Sequence, residues 1–202
     1  DSKSDEERIS RYKMLHAQFS QFDFIAIEPL FRAANALAEN QDLDAAIKMY
    51  DYIISKYSNM EEQRFQARMA RADLYVKTGE SLKAARELED IIEQHKQSTP
   101  EMAQSATNKL AQLLLNSADE LSASENFDLA AARYKSVLRL ASRNLRAHQG
   151  YIKSLASFDL IDKGLEEYLT ELKMHPDNNV LLYAIGLCYS YKGARLVDGE
   201  IN

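Results

Sequence analysis

A recurring layout constrains this chain more than any other feature. Three stretches share it: QDLDAAIKMYDYII (41–54), TGESLKAARELEDII (78–92) and ENFDLAAARYKSVL (125–138). A short polar turn leads to a small residue, then to a large apolar residue four places on and another three beyond that. The triplets are Ala46/Tyr50/Ile53, Ala84/Leu88/Ile91 and Ala130/Tyr134/Val137. Steps of four and three return to one face of an α-helix, so each stretch predicts an amphipathic helix whose alanine admits a close neighbour. SFDLIDKGLEEYLTEL (157–172) is a weaker copy, with Gly164 and Tyr168 in register but Glu171 in the third place.

Each copy follows another amphipathic segment, and these segments align as well: Leu30/Ala33/Ala34/Leu37, Arg71/Ala72/Tyr75, Leu114/Ala118/Leu121 and Tyr151/Ile152/Leu155. A fifth, Leu182/Ile185/Gly186/Tyr189, lies in LLYAIGLCYSYKG (181–193). One column of this alignment, Ala34, Ala72, Ala118, Ile152 and Gly186, advances by 38, 46, 34 and 34 residues. The 46-residue step predicts longer helices around residues 93–112, where Thr99 and Pro100 read as an N-cap and first helical residue. Ser58 or Asn59 with Glu61 or Glu62, and Ser4 with Glu7, read as capping boxes. The second of these opens a helix striped with Ile9, Tyr12, Leu15, Phe19 and Phe22.

The layout resembles the tetratricopeptide repeat, a helix–turn–helix unit of about 34 residues, from about residue 27 onward. The resemblance implies an all-α fold, a right-handed superhelical α-solenoid. Its repeats would be 27–60, 65–98, 111–144, 145–178 and an incomplete 179–202, with residues 1–24 an N-terminal capping helix or the remnant of an earlier repeat. Leu182, Ile185, Gly186 and Tyr189 match family packing columns. Gly193 then matches the turn glycine, and GARLVDGEIN would start the second helix.

Composition narrows function. Apolar residues make up 46% of 202, enough for a core, and only 6 glycines and 3 prolines interrupt it. The net charge of −6 disfavours nucleic acid as a partner. No apolar run is long enough to insert in a membrane. The chain has no initiator Met and is expected to be a segment of a longer product; cytoplasmic and bacterial periplasmic locations are both compatible with it.

The sole cysteine, Cys188, has no histidine nearby in sequence and sits beside a packing column, so it reads as a small core hydrophobe. His16, His95, His148 and His175 form no i, i+4 pair, and no phosphate-binding glycine loop is present. The expectation is therefore a non-enzyme with no metal and no cofactor.

Between Asp128 and Asp159 there is no acidic residue, and six Lys and Arg give this window a charge of +6 against −12 for the remainder. In the tetratricopeptide family the first helix of each pair lines a concave face. That resemblance implies partner-binding residues Asn35, then Asp73 and Lys77, then Asn116 and Asp119, then Arg146, Gln149 and Lys153, then Tyr183 and Tyr191, with Leu115 and Leu187 beside them. Amides, charges of both signs and aromatic side chains suit an extended peptide or a partner helix, and Arg146 with Lys153 suits an acidic one. The family's carboxylate clamp is not expected, because its positions here read Phe31, Asn35, Ala70, Gln112 and Asn116. The leading expectation is a protein–protein interaction module within a larger assembly. The alternatives are a regulatory or scaffolding arm of a larger enzyme, such as a protease or transferase, and a scaffold that forms a homo-oligomer through its incomplete C-terminal repeat.

Overall fold

The computed structural model describes residues 2–200, and the side chains of 5–194. Ten α-helices occupy the described residues and no strand is present among them. The chain divides into two compact units, with the boundary between Thr107 and Asn108.

The first unit holds α1 (Ser2–Gln18), α2 (Asp23–Glu39), α3 (Leu43–Lys56), α4 (Glu61–Lys77), α5 (Ser81–His95) and the start of α6 (Pro100–Ala123). Its triplets are buried as the spacing requires: Ala46 at 0% exposure, Tyr50 at 2% and Ile53 at 0%. Leu30, Ala33, Ala34 and Leu37 of α2 are buried too. Ile9 of α1 joins the same core as Leu30 and Tyr50. Each large side chain so buried contributes about 1.5–3 kcal/mol. Between α3, α4 and α5, Glu87 is buried and bonded to both Arg68 and Arg71, and Arg71 reaches Asp51 at 2.5 Å. The two guanidiniums keep this carboxylate paired, and a buried carboxylate without a cation would cost several kcal/mol.

The second unit holds the rest of α6, then α7 (Phe127–Leu140), α8 (Leu145–Ser157), α9 (Ile161–Met174) and α10 (Asn179–Glu200). Ala130, Tyr134 and Val137 are buried with Ala118, Ile152, Leu165 and Cys188 in one core. Gly164 is buried where a Cβ would meet Leu155 Cδ1 at 2.5 Å, so the weaker fourth copy keeps its small residue for contact. Thus the expected all-α helical-repeat fold is present in each unit.

The turns inside the pairs repeat as faithfully as the cores. Each carries one left-handed residue: Gln41 (φ 63°), Gly79 (φ 80°), Glu125 (φ 61°) and Asp159 (φ 61°). These advance by 38, 46 and 34 residues, the same steps as the core column.

Several local expectations are corrected. The next step of 34 arrives at Gly193, yet no turn forms there, and α10 runs unbroken to Glu200. LLYAIGLCYSYKG also buries a different face from the expected one. Leu181, Ala184, Ile185 and Cys188 are buried, whereas Leu182 is 49% and Tyr189 54% exposed. Steps of three and four from Leu181 face α8 and α9, and no second helix among the described residues covers the Leu182–Tyr189 side. Leu115, expected on the open face, is 3% exposed and joins the core. α1 ends at Gln18, and Leu15 and Phe22 are exposed. α4 is preceded by Met60 without a side-chain cap, so neither Ser58 nor Asn59 plays that part. Pro100 does open the long helix α6, and the Thr99 hydroxyl pairs with His95 Nδ1 at 2.7 Å. The side chain of Ser4 and those of residues 195–202 lie outside the described residues.

Candidate functional site

Three first helices of the second unit, α6, α8 and α10, turn side chains toward a groove of about 500 Å³. Asp119, Ser122 and Ala123 come from α6, Arg146, Gln149, Gly150 and Lys153 from α8, and Leu187 and Tyr191 from α10. Helical steps of three and four bring Arg146, Gln149, Gly150 and Lys153 to one stripe of α8, and Leu187 and Tyr191 to one stripe of α10.

Tyr134 of α7 enters this groove across α8. A Cβ on Gly150 would lie 2.1 Å from Tyr134 Cζ, so only glycine leaves room for the ring. The Tyr134 hydroxyl donates to Asp119 Oδ1 at 2.6 Å, and Arg146 lies 2.7 Å from Asp119 Oδ2. Burial, and then the Asp119 carboxylate, push the Tyr134 hydroxyl up to about 12, so it stays a donor at any physiological pH. Gln149 Nε2 donates to the Tyr183 hydroxyl at 2.6 Å, which joins α8 to α10 at the rim. Lys153 is exposed and forms no ion pair among the described residues. The groove thus offers one cation held against an acid, one free cation, a fixed amide and an apolar wall.

Five of the ten sequence-predicted partner residues line this groove: Asp119, Arg146, Gln149, Lys153 and Tyr191. Tyr183 joins through Gln149. Asn116 is exposed one turn earlier on α6 and accepts from Gln112 Nε2 at 2.8 Å. Asn35, Asp73 and Lys77 belong to the first unit and are exposed there. Asn35 Oδ1 accepts from the Tyr50 hydroxyl at 2.6 Å, and burial together with the Asp73 charge pushes that hydroxyl up to about 12. Tyr50 with Asn35 and Tyr134 with Asp119 are one device used twice, a second-helix tyrosine bonded 15 residues back. Sequence reasoning assigned both tyrosines to the core and missed their hydroxyls. A polar residue 15 places before each would have flagged them.

Cys188 is fully buried, and burial pushes its thiol up to about 11, the opposite of what a nucleophile needs. Among the described residues, no group of three or more His, Cys, Asp or Glu is placed to hold a metal ion. No helix among them is long and apolar enough to cross a membrane.

No protein-family model matches the sequence, and no curated protein matches it. Solved structures do. The chain is similar to YrrB, a TPR protein with an unusual peptide-binding site, at 20% identity and a TM-score of 0.38, over 89% of this chain and 84% of that one. It is also similar to a tetratricopeptide repeat protein from Parabacteroides merdae, at 16% identity and a TM-score of 0.45, over 97% of this chain and 77% of that one.

Proposed function

We propose that this chain is a non-enzymatic interaction module that binds an extended peptide or partner helix in the α6–α8–α10 groove. One observation carries the reading: Arg146 and Lys153 stand one above and one below Gln149 on α8, with Leu187 and Tyr191 opposite. An acidic segment satisfies that arrangement. Its carboxylate meets Lys153, its backbone meets the Gln149 amide, and an apolar side chain lies on Leu187. Arg146 is held by Asp119, so Lys153 supplies the free charge and Arg146 joins by leaving Asp119.

Peptide-display selection on the wild-type chain is expected to enrich sequences rich in Asp and Glu. Arg146→Glu/Lys153→Glu is expected to weaken the selected peptides by roughly tenfold or more, from two lost charge-assisted contacts. Both side chains are exposed, so the fold should survive, as circular dichroism would check. Recovery of the same acidic sequences by the double variant would reject the reading.

A second reading rests on a separate observation. The exposed Leu182 and Tyr189 on α10, with open space beside Gly186, suit self-association through that helix. Light scattering across a concentration series tests it, and a strictly monomeric chain rejects it.

A further inference from the structure

The second unit carries another groove, of about 690 Å³, between α7 and α9, with α8 as its floor. None of its residues lines the α6–α8–α10 groove. His148 and Tyr151 of α8 and Tyr168 of α9 form a buried base. Leu138 and Leu181 add apolar surface, and Met174 stands exposed at the rim.

Its walls are an incomplete ladder of opposite charges. Lys135 on α7 faces Glu167 on α9, 32 residues on, and this rung is closed at 3.0 Å. The Tyr151 hydroxyl donates to the same Glu167 oxygen at 3.0 Å. Burial alone would raise the Glu167 carboxyl; the Lys135 and Tyr151 bonds outweigh it and hold the group below the usual range. One helical turn further, Arg139 on α7 and Glu171 on α9 repeat the same 32-residue offset. This rung is open. Arg139 donates to Ser136 Oγ at 2.8 Å on its own helix, and Glu171 lies 3.5 Å from His175 on its own side. Arg143 adds a second cation to the α7 side, and Asp177 an acid at the α9–α10 turn.

A cavity with cations on one wall, acids on the other and an apolar floor fits an occupant that carries both signs. A phosphate or a fatty carboxylate would be held by Arg139 and Arg143 but repelled by Glu171 and Asp177. We infer that the α7–α9 groove binds a short peptide segment in which an acidic and a basic side chain flank an apolar one. The acid pairs with Arg139 and Arg143, the base with Glu171, and the apolar side chain covers Leu138 and Leu181. A polyproline II segment, with three residues per turn, directs three successive side chains in those three directions.

The test is an amide chemical-shift titration of the full chain at low salt with three blocked tripeptides: acetyl-Glu-Leu-Lys-amide, acetyl-Glu-Leu-Glu-amide and acetyl-Lys-Leu-Lys-amide. The mixed-charge peptide is expected to give saturable shifts at Arg139, Tyr151 and Glu171, and the two like-charged peptides to bind about fivefold more weakly. Arg139→Gln/Glu171→Gln, at two exposed positions, is expected to lose a similar factor while its circular dichroism is unchanged. Arg146→Glu/Lys153→Glu should leave these shifts intact, which separates this groove from the one proposed above. Absence of saturable shifts, equal binding of the like-charged peptides, or full binding by the Arg139→Gln/Glu171→Gln variant would overturn the inference.

Discussion

A single methyl group separates glycine from alanine, and at position 150 that methyl has nowhere to go. Its carbon would lie 2.1 Å from Tyr134 Cζ, and the ring is held by its bond to Asp119 and by burial to 2% exposure. Gly150→Ala is therefore expected to destabilise the chain by about 1–3 kcal/mol in urea unfolding, despite alanine's better helix propensity. A variant as stable as wild type would mean that Tyr134 repacks freely. His148 offers a pH test at the same scale. Its Nε2–H donates to the Ser142 carbonyl at 2.9 Å and its Nδ1 accepts from the Tyr168 hydroxyl at 2.9 Å, which fixes a neutral ring. Burial lowers its pKa, and the Ser142 bond only partly opposes this. The unfolded chain, with histidine near 6.5, then binds the proton better than the fold does. This contribution is fully present above about pH 6.5 and is lost as pH falls toward the lowered folded value, by at most about 1.4 kcal/mol per pH unit. Urea unfolding at pH 7 and pH 5 should show a decline that His148→Gln reduces; equal pH dependence in both proteins would remove His148 as its source.

At the scale of elements, the sequence was legible wherever burial is decided by neighbours along the chain. The Ala–large–large triplets of α3, α5 and α7 read correctly because each is packed on the helix before it. α10 read less well. Its apolar residues fill both faces, so periodicity alone cannot choose between the Leu181–Ala184–Cys188 stripe and the Leu182–Gly186–Tyr189 stripe. Which one is buried depends on which helices surround it. Gly193 misled for a similar reason, since a glycine permits a turn without requiring one. The α6–α8–α10 groove was half legible, because Arg146, Gln149 and Lys153 share a face by spacing alone. The α7–α9 groove was not, because no local period links Arg139 to Glu171 across 32 residues.

For the whole molecule, the two units carry separate cores, one including Ile9 to Leu74 and the other Ala111 to Cys188. In stacked repeats each element is stabilised chiefly by its neighbours, so damage stays near its source. Hydrogen exchange on Gly150→Ala is expected to show faster exchange in α7, α8 and α9, with α2 and α3 unchanged. Uniform loss of protection along the chain would instead mean one cooperative fold. Asn35, Asp73 and Lys77 lie in the first unit, whereas the residues lining both grooves lie in the second.

The left-handed turns have a further consequence. Three of the four positions hold side chains that disfavour this conformation, while the fourth, Gly79, holds the residue that accepts it freely. The hairpins therefore carry unused thermal headroom, stored in corners that line neither groove. Gln41→Gly and Glu125→Gly should each release about 0.5–1 kcal/mol, net of glycine's greater freedom when unfolded. A melting temperature that rises in both variants, with peptide binding untouched, would make these corners the place to toughen the protein without altering what it recognises. A fall in either would show that the side chain stabilises its turn by more than the backbone strain it brings.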